Sequence, residues 1–222
     1  MTPPTELFGS ILQGDSLSGE KVAPRPEKAI AALFRLLIPA ATPEMTVVRG
    51  CVSNTSHLCL IHKGDFDIIR LSDNLRLGAG RGAAIIGLMG LFGLKHSHCL
   101  QPLSAVSYSM VPLERAWSLI EEGNAWCSVA EILAYYLRRS VLRDEKMVVP
   151  TTYQKVCYRL QEYLKYREHY VRNNIGIVNY ILSSTFISRS QVYKIVMELA
   201  RGGYIEITDG KLMAIHRLPG RF

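Results

Sequence analysis

The chain has 222 residues, of which 48% are hydrophobic and 20% charged, a composition typical of a globular protein with one large domain or two modest ones. Its longest nearly uncharged apolar run, residues 83–94, is too short for a membrane span, which needs about 20 residues. Residues 1–6 lack the basic and apolar order of a signal peptide, so we expect a cytoplasmic protein with no membrane partner.

The five cysteines are scattered along the chain and form no C-x-x-C pair. They are Cys51, Cys59, Cys99, Cys127 and Cys157. This spacing argues against a structural metal site and against a disulfide framework. We expect reduced and mostly buried thiols, with redox sensing by one of them as an open alternative.

The net charge of +7 is concentrated toward the C-terminus. Residues 1–147 carry a balance of +1, whereas residues 148–222 carry +6. A basic C-terminal third beside a neutral remainder is typical of a polyanion-binding module joined to a neutral domain. A basic solvated face would give the same distribution, so the charge alone does not decide between the two.

In chain order, the first predicted element is a helix that begins at Pro26 and ends before Pro39. Short β-rich runs separated by turn residues follow, and they predict a small barrel or a double-sheet roll. The runs cover residues 46–52, 57–62, 66–71, 83–87 and 105–111.

No catalytic constellation is present in the sequence, so we expect neither an enzyme nor a bound cofactor. Asp65 and Asp67 are predicted to lie on a solvated turn rather than to act as a general acid–base pair. The glycine-rich residues 77–84 loosely match a dinucleotide-binding loop, but no crossover helix follows them, and a loop between strands is the better interpretation. P-loop and G-x-S-x-G motifs are absent.

A short helix beginning at Pro112 and a longer one over Ala125–Met147 follow the β-rich region. Along the longer helix, mostly apolar residues recur at alternating steps of three and four, which is the spacing of a coiled-coil seam. These residues are Trp126, Val129, Leu133, Tyr136 and Ser140. The pattern fits a dimerisation helix, and it fits packing on the chain's own barrel equally well.

Beyond a hinge predicted at residues 148–151, a further helix is expected from Thr152 to about Arg172. A short helix over residues 176–184 and a tight turn come next. Together they precede the segment that is most informative about function.

A second helix after this turn has a well-defined start. Ser188 is its predicted N-cap, and Gln191 three residues later completes a capping box. Gly202-Gly203 end the helix. An Asp209-Gly210 turn between two strand-like runs then predicts a β-hairpin. Helix, turn, helix and hairpin in this order form a winged helix-turn-helix.

The second helix has an apolar face and a polar, basic face. The predicted buried residues are Val192, Ile195, Val196 and Leu199. The predicted DNA-binding residues are Ser188, Arg189, Ser190, Gln191, Tyr193 and Lys194. Arg189 can read guanine, Ser190 and Gln191 can read bases, and Ser188, Tyr193 and Lys194 can hold the phosphate backbone. The alternative is a winged helix that contacts only protein.

This segment resembles the recognition helix of the CRP/FNR family of bacterial regulators. The family's motif Ser-Arg-x-x-Val-x-Arg-Ile-Leu-x-x-Leu is matched by residues 188–199, with Lys194 in place of arginine. The β-rich region and the long helix extend the resemblance over most of the chain. Within the family, the sequence resembles the enterobacterial IprA/YaiV type.

The resemblance implies an α+β fold in three parts. Residues 1–123 would form a cyclic-nucleotide-binding-like sensory β-roll, residues 124–149 a dimerisation helix with its hinge, and residues 150–222 a DNA-binding winged helix-turn-helix. It further implies a homodimer that binds double-stranded DNA in successive major grooves and regulates transcription, with RNA polymerase as a candidate partner.

The sequence departs from the family at the ligand-binding segment. Members that bind cyclic AMP carry Ile-Gly-Glu-Leu-Gly-Leu-Phe followed by an Arg-Ser pair. Residues 86–92 keep most of this pattern, but Leu88 replaces the glutamate and no Arg-Ser pair follows. A buried cyclic phosphate would lack its guanidinium partner. We therefore expect a regulator that does not depend on cyclic AMP, with an unknown small molecule or a thiol-redox signal as alternatives.

Overall fold

The computed structural model describes residues 24–53, 55–95, 97–148 and 150–220. The signal-peptide argument at residues 1–6 and one residue of the predicted hinge, Val149, lie outside the described residues. The first helix, α1, covers Glu27–Leu37 and continues into a 3-10 turn over Ile38–Ala40, as predicted from Pro26 and Pro39.

The region that follows is a roll of two antiparallel sheets. Its strands are β1 (Met45–Val47), β2 (His57–Lys63), β3 (Asp65–Arg70), β4 (Arg76–Arg81), β5 (Ala84–Ile86), β6 (His98–Pro102) and β7 (Val106–Pro112). The strand orders in the two sheets are β1-β7-β2-β5 and β4-β3-β6. Apolar side chains of both sheets, including Ile61, Phe66 and Leu100, fill the space between them. The predicted double-sheet roll is confirmed.

The loop expected over residues 77–84 is wrong for residues 77–81, because they belong to β4, which pairs with β3 from Arg81 to Arg76. Gly80 explains why this glycine-rich run can be a strand. A Cβ at Gly80 would lie 2.5 Å from the ring of Phe66 on the neighbouring strand, so the close approach of ring and backbone requires glycine. Strand β6 also had no counterpart among the predicted runs.

Two helices, α2 (Leu113–Glu122) and α3 (Trp126–Met147), close the roll. They form one apolar cluster with α1, in which Val129 and Ile132 of α3 are buried. The hydroxyl of Tyr136 donates a hydrogen bond to the carbonyl of Ile85 on β5 at 3.1 Å. One side of the long helix is therefore committed to its own roll.

Cys51 and Cys99 form a disulfide with their Cα atoms 6.0 Å apart, so the expectation of reduced thiols is wrong for this pair. The two residues meet because Val52 and Leu100 form an isolated antiparallel bridge, which brings the segment before β2 alongside β6. Sequence spacing could not reveal this pairing, since 48 positions separate the cysteines.

The winged helix-turn-helix is confirmed. Its elements are α4 (Thr152–Lys165), α5 (Arg167–Arg172), α6 (Ile177–Leu182), α7 (Arg189–Arg201), β8 (Ile205–Thr208) and β9 (Lys211–Ile215). The helix predicted over 152–172 is divided at Tyr166. The core of the winged helix-turn-helix contains three packed tyrosine rings, Tyr163, Tyr170 and Tyr180, whose centroids lie 4.8 to 5.3 Å apart.

The winged helix is docked on the roll through an apolar anchor and a buried ionic cluster. Leu103, immediately after β6, is 5% exposed and packs within the core of the winged helix. Its carbonyl accepts a hydrogen bond from Nδ2 of Asn173 at 3.0 Å. Beside it, Asp67 pairs with Nε of Arg76 at 2.9 Å and accepts a hydrogen bond from the Tyr170 hydroxyl at 3.3 Å.

The expectation that Asp65 and Asp67 are solvated is therefore wrong. The turn ends at Gly64, and both carboxylates lie on β3 under the winged helix, where Asp65 pairs with Arg81 and His169. Asp67 is 0% exposed. Burial raises its pKa to about 6, although the neighbouring Arg76 lowers it.

Candidate nucleic-acid interface

Helix α7 begins where the sequence predicts. Oγ of Ser188 accepts a hydrogen bond from the backbone N–H of Gln191 at 3.4 Å, which makes Ser188 the N-cap. The capping box is only half formed, because the Gln191 side-chain oxygen accepts from the Ser188 hydroxyl at 3.0 Å instead of from the Ser188 backbone. Gln191 is nevertheless exposed, so its amide group stays accessible from solvent.

The two faces of α7 are also as predicted. Val192, Ile195, Val196 and Leu199 are buried in the winged-helix core. The predicted DNA-binding residues are all exposed: Ser188, Arg189, Ser190, Gln191, Tyr193 and Lys194. The helix thus presents its capped N-terminus, two cations and several hydrogen-bonding groups on one open surface.

Two neighbours of this surface were not predicted. Nη1 of Arg189 donates a hydrogen bond to Oδ1 of Asn179 on α6 at 3.4 Å, which ties the guanidinium to the preceding helix. Phe186, in the turn between α6 and α7, is 81% exposed. The sequence signal that could have indicated this exposed ring is the presence of a large aromatic residue in the turn of the helix-turn-helix. Next to it, the buried hydroxyl of Thr185 donates to the Ile181 carbonyl at 2.8 Å.

The start of α4 faces the same surface. Thr151 and Gln154 form a complete capping box there. A cleft of about 640 Å³ separates these residues from Gln191 and Lys194 of α7. The Thr-x-x-Gln spacing could have indicated this second helix start. Backbone N–H groups at a helix start favour anions, so the cleft lies between Lys194 and a second electropositive element.

The hairpin β8–β9 is the wing, and its turn has the predicted conformation. Asp209 and Gly210 have φ values of 50° and 72°, as a two-residue type I′ turn requires. The Gly210 carbonyl accepts a hydrogen bond from the N–H of Ile177 at 2.8 Å. In the middle of β9, the carbonyl of Met213 accepts a hydrogen bond from Nη1 of Arg167 at 2.6 Å.

The segment that resembles a cyclic-nucleotide cassette is packed into the core of the roll. It forms a 3-10 helix over Leu88–Phe92, and Leu88, which stands where the family has glutamate, is 2% exposed within the roll's apolar core. The cavity beside Ile86 and Gly87 has a volume of about 20 Å³. That volume holds about one water molecule.

The seam predicted for dimerisation faces mainly the chain's own roll. Val129 is 1% exposed, and Trp126, Leu133 and Tyr136 pack against the same apolar cluster. Ser140 is exposed. Dimerisation through these residues stays a prediction: Val129 is committed to the core of one protomer, whereas Trp126, Leu133 and Tyr136 are half-buried and keep part of their surface open.

A second seam lies one residue further along α3. The same alternation of three and four recurs on exposed positions: Cys127, Ala130, Ala134, Leu137 and Val141. Leu137 is 67% exposed and Val141 is 39% exposed. Because one residue corresponds to a rotation of about 100°, this stripe faces away from the roll. We call these five residues the outer stripe.

Comparison with known proteins agrees with the fold and the site. A family model described as winged helix-turn-helix DNA binding matches residues 152–220. The Inhibitor of hydrogen peroxide resistance of Escherichia coli K12 is 32% identical over 155 residues, which cover 69% of this chain and 74% of that protein. The chain belongs to this family. The Salmonella typhimurium member is 27% identical over 172 residues, covering 77% of this chain and 81% of its own length.

Solved structures of CRP/FNR-family regulators share the fold of this chain. A c-di-GMP-responsive global regulator of Xanthomonas campestris has a TM-score of 0.64 and 14% identity, covering 83% of this chain and 99% of that one. A CRP/FNR regulator of Eubacterium rectale has a TM-score of 0.64 and 13% identity, covering 83% and 89%. The predicted CRP/FNR fold, with its roll and winged helix, is confirmed.

Within the described residues, no helix combines the length and the apolar character that a membrane span needs. The same part of the chain contains no group of three or more histidine, cysteine or acidic side chains arranged to hold a metal ion.

Proposed function

We propose that this protein is a homodimeric, sequence-specific DNA-binding regulator of transcription that works without cyclic AMP. The observation that carries the proposal is the exposed N-terminal half of α7, where a capped helix start, Arg189 and Lys194 share one open face beside the cleft at Thr151. A helix of this kind fits the major groove and combines phosphate contacts with base readout.

The residues divide into two roles. Arg189, in the first turn of α7, reads a guanine edge, with Asn179 holding its guanidinium in place. Ser190 and Gln191 lie beside it and contact neighbouring bases. Lys194 lies more than a turn further on and, with Ser188 and Tyr193, contacts the phosphate backbone.

The small cavity in the roll supports independence from cyclic AMP. A cavity of about 20 Å³ would have to open more than tenfold to reach the roughly 300 Å³ of a small-ligand pocket. Leu88, which stands where cyclic-AMP-binding members have glutamate, is 2% exposed in the core of the roll. Calorimetric titration with cyclic AMP should show no heat of binding at micromolar protein concentrations, and micromolar affinity would contradict this part of the proposal.

The dimer contact is assigned to the outer stripe. Its 3-4 spacing suits a two-helix seam, its alanines allow close approach, and Leu137 and Val141 would otherwise stay exposed. Leu137→Asp should convert the dimer to a monomer in light scattering, because it buries an unpaired charge. Lys146→Asp puts the same carboxylate about 180° away on α3 and should leave the dimer intact. A dimer that survives Leu137→Asp would place the interface elsewhere.

The DNA contact is tested by two substitutions that should differ in kind. Arg189→Ala should cost about 1–3 kcal/mol on the specific site, relax the preference at one base pair and leave non-specific binding nearly unchanged. Lys194→Ala should weaken both kinds of binding and lower the salt slope by about one unit. Arg115→Ala removes the same charge from an exposed position on α2 and is the matched control.

Binding isotherms at several salt concentrations, on sites obtained by genome-wide mapping, give these quantities. If neither Arg189→Ala nor Lys194→Ala changes the affinity, the winged helix does not read DNA through this face, and a protein-interaction module replaces the proposal. The name of the relatives suggests the regulated process, resistance to hydrogen peroxide. RNA polymerase is the proposed partner at the bound promoter.

A further inference from the structure

The Cys51–Cys99 disulfide joins the segment before β2 to strand β6 of the roll. Apart from the disulfide, the contact between residues 51–53 and β6 includes two backbone hydrogen bonds, from Val52 N–H to the Leu100 carbonyl at 2.8 Å and back at 2.9 Å. Cys99 is 3% exposed, whereas Cys51 is exposed. The Cys51 end of the bond therefore lies at the surface, on the side from which oxidants and thiol reductants approach.

The other cysteines of the described chain differ from this pair. Cys59 is buried in the roll, and burial raises the pKa of its thiol to about 12, which leaves it un-ionised and unreactive. Burial also raises the pKa of the half-buried Cys157. Cys127 is exposed on α3 and forms no disulfide within the described chain.

Strand β6 connects the disulfide with the winged helix. It pairs with β3, the strand that carries Asp67, along Phe66 to Arg70. Four residues after Cys99, Leu103 enters the core of the winged helix and its carbonyl accepts the hydrogen bond from Asn173. Whatever fixes β6 at Cys99 therefore also fixes the apolar anchor by which the roll holds the winged helix.

We propose that Cys51 and Cys99 are a reversible redox site, oxidised by hydroperoxides, whose disulfide fixes β6 and thereby tightens the docking of the winged helix on the roll. The Cys51 thiolate attacks a peroxide oxygen and the O–O bond breaks, which gives a sulfenic acid and, for hydrogen peroxide, water after proton transfer. The Cys99 thiol then attacks this sulfur, the S–S bond forms and a second water leaves. The thiols lose two electrons in total and the peroxide gains them. A thiol reductant reverses the step by exchange at the exposed Cys51 sulfur.

The first experiment follows the thiols of the full chain. The protein is reduced, freed of reductant without oxygen, treated with one equivalent of hydrogen peroxide, alkylated and digested for mass spectrometry. We expect a peptide pair linked through Cys51 and Cys99 and a loss of two of the five thiols per chain, restored by dithiothreitol. Cys51→Ser should abolish the linked pair, and the control Cys127→Ser should keep it. A link through Cys127, or no link at all, would overturn the proposal.

The second experiment measures the consequence for docking without relying on DNA binding. Amide hydrogen exchange at residues 98–104 and 167–174 should slow at least tenfold on oxidation of the wild type and of Cys127→Ser. In Cys51→Ser it should not change. The thermal midpoint should rise by about 5–10 °C in the same proteins, because the bond closes a loop between positions 48 residues apart. If the exchange rates are equal in both redox states, the disulfide does not affect the docking of the winged helix, and the proposed coupling is refuted.

Discussion

Replacing Arg76 with methionine tests whether the cluster between roll and winged helix depends on paired charges. Methionine keeps an unbranched stem, but it leaves the fully buried Asp67 without the guanidinium 2.9 Å away. Breaking a buried ion pair by removing one partner costs about 3–5 kcal/mol. The guanidinium also lies 5.2 and 4.9 Å from the ring centroids of Tyr170 and Tyr180, contacts worth about 1 kcal/mol together. The free energy of unfolding at pH 7.5 should therefore fall by about 4–6 kcal/mol.

The loss in the free energy of unfolding caused by Arg76→Met should be smaller at acidic pH. Burial raises the pKa of Asp67 to about 6 in the wild type, and without Arg76 the pKa should rise further. An ordinary aspartate in the unfolded chain has a pKa of about 3.9. Between the two pKa values the folded state binds more protons than the unfolded state, so stability falls as the pH rises through this window. At pH 5 the carboxyl of the variant is neutral, and the deficit should be about half of that at pH 7.5.

Urea unfolding at both pH values measures the effect, followed by the fluorescence of Trp117 and Trp126 in the roll and by far-UV circular dichroism. The double variant Asp67→Asn, Arg76→Met removes both charges and should recover at least half of the loss at pH 7.5. A loss below about 1 kcal/mol, a loss that does not change with pH, or a double variant as unstable as the sum of the single ones would refute the reasoning.

Two further substitutions and labels test the roll. Gly80→Ala should destabilise the protein by about 1–3 kcal/mol in urea unfolding, because its Cβ would meet the buried ring of Phe66, whereas Gly220→Ala, which has open space, should be neutral. Maleimide at pH 7.5 should leave Cys59, whose pKa is raised to about 12, unmodified until the protein unfolds, and rapid labelling of Cys59 in the native state would contradict its burial.

The parts that the sequence predicted best are those with local determinants. The start of α7 is encoded within four residues, at Ser188 and Gln191, and its two faces follow from the helical period alone. The wing turn is encoded in the dipeptide Asp209-Gly210. These features together give the candidate DNA surface before any tertiary contact is known.

The features that were missed depend on residues far apart in the chain. Strand β4 looks like a loop until the ring of Phe66 is placed against Gly80. The burial of Asp67 depends on Tyr170, 103 positions later. The dimer seam is a different case, because α3 carries two stripes of the same period, and only the position of the roll decides which one is covered.

The attachment of the wing has a consequence for the kind of DNA the protein can accept. The hydrogen bond between Gly210 and Ile177 ties the wing tip to the start of α6, and α6 in turn holds Arg189 through Asn179. The wing and α7 would then move as one rigid unit. The distance between the part of this unit that enters the major groove and the part that contacts the adjacent backbone would be fixed. Operators with the right bases but the wrong groove width should be discriminated against, because the duplex rather than the protein would have to deform.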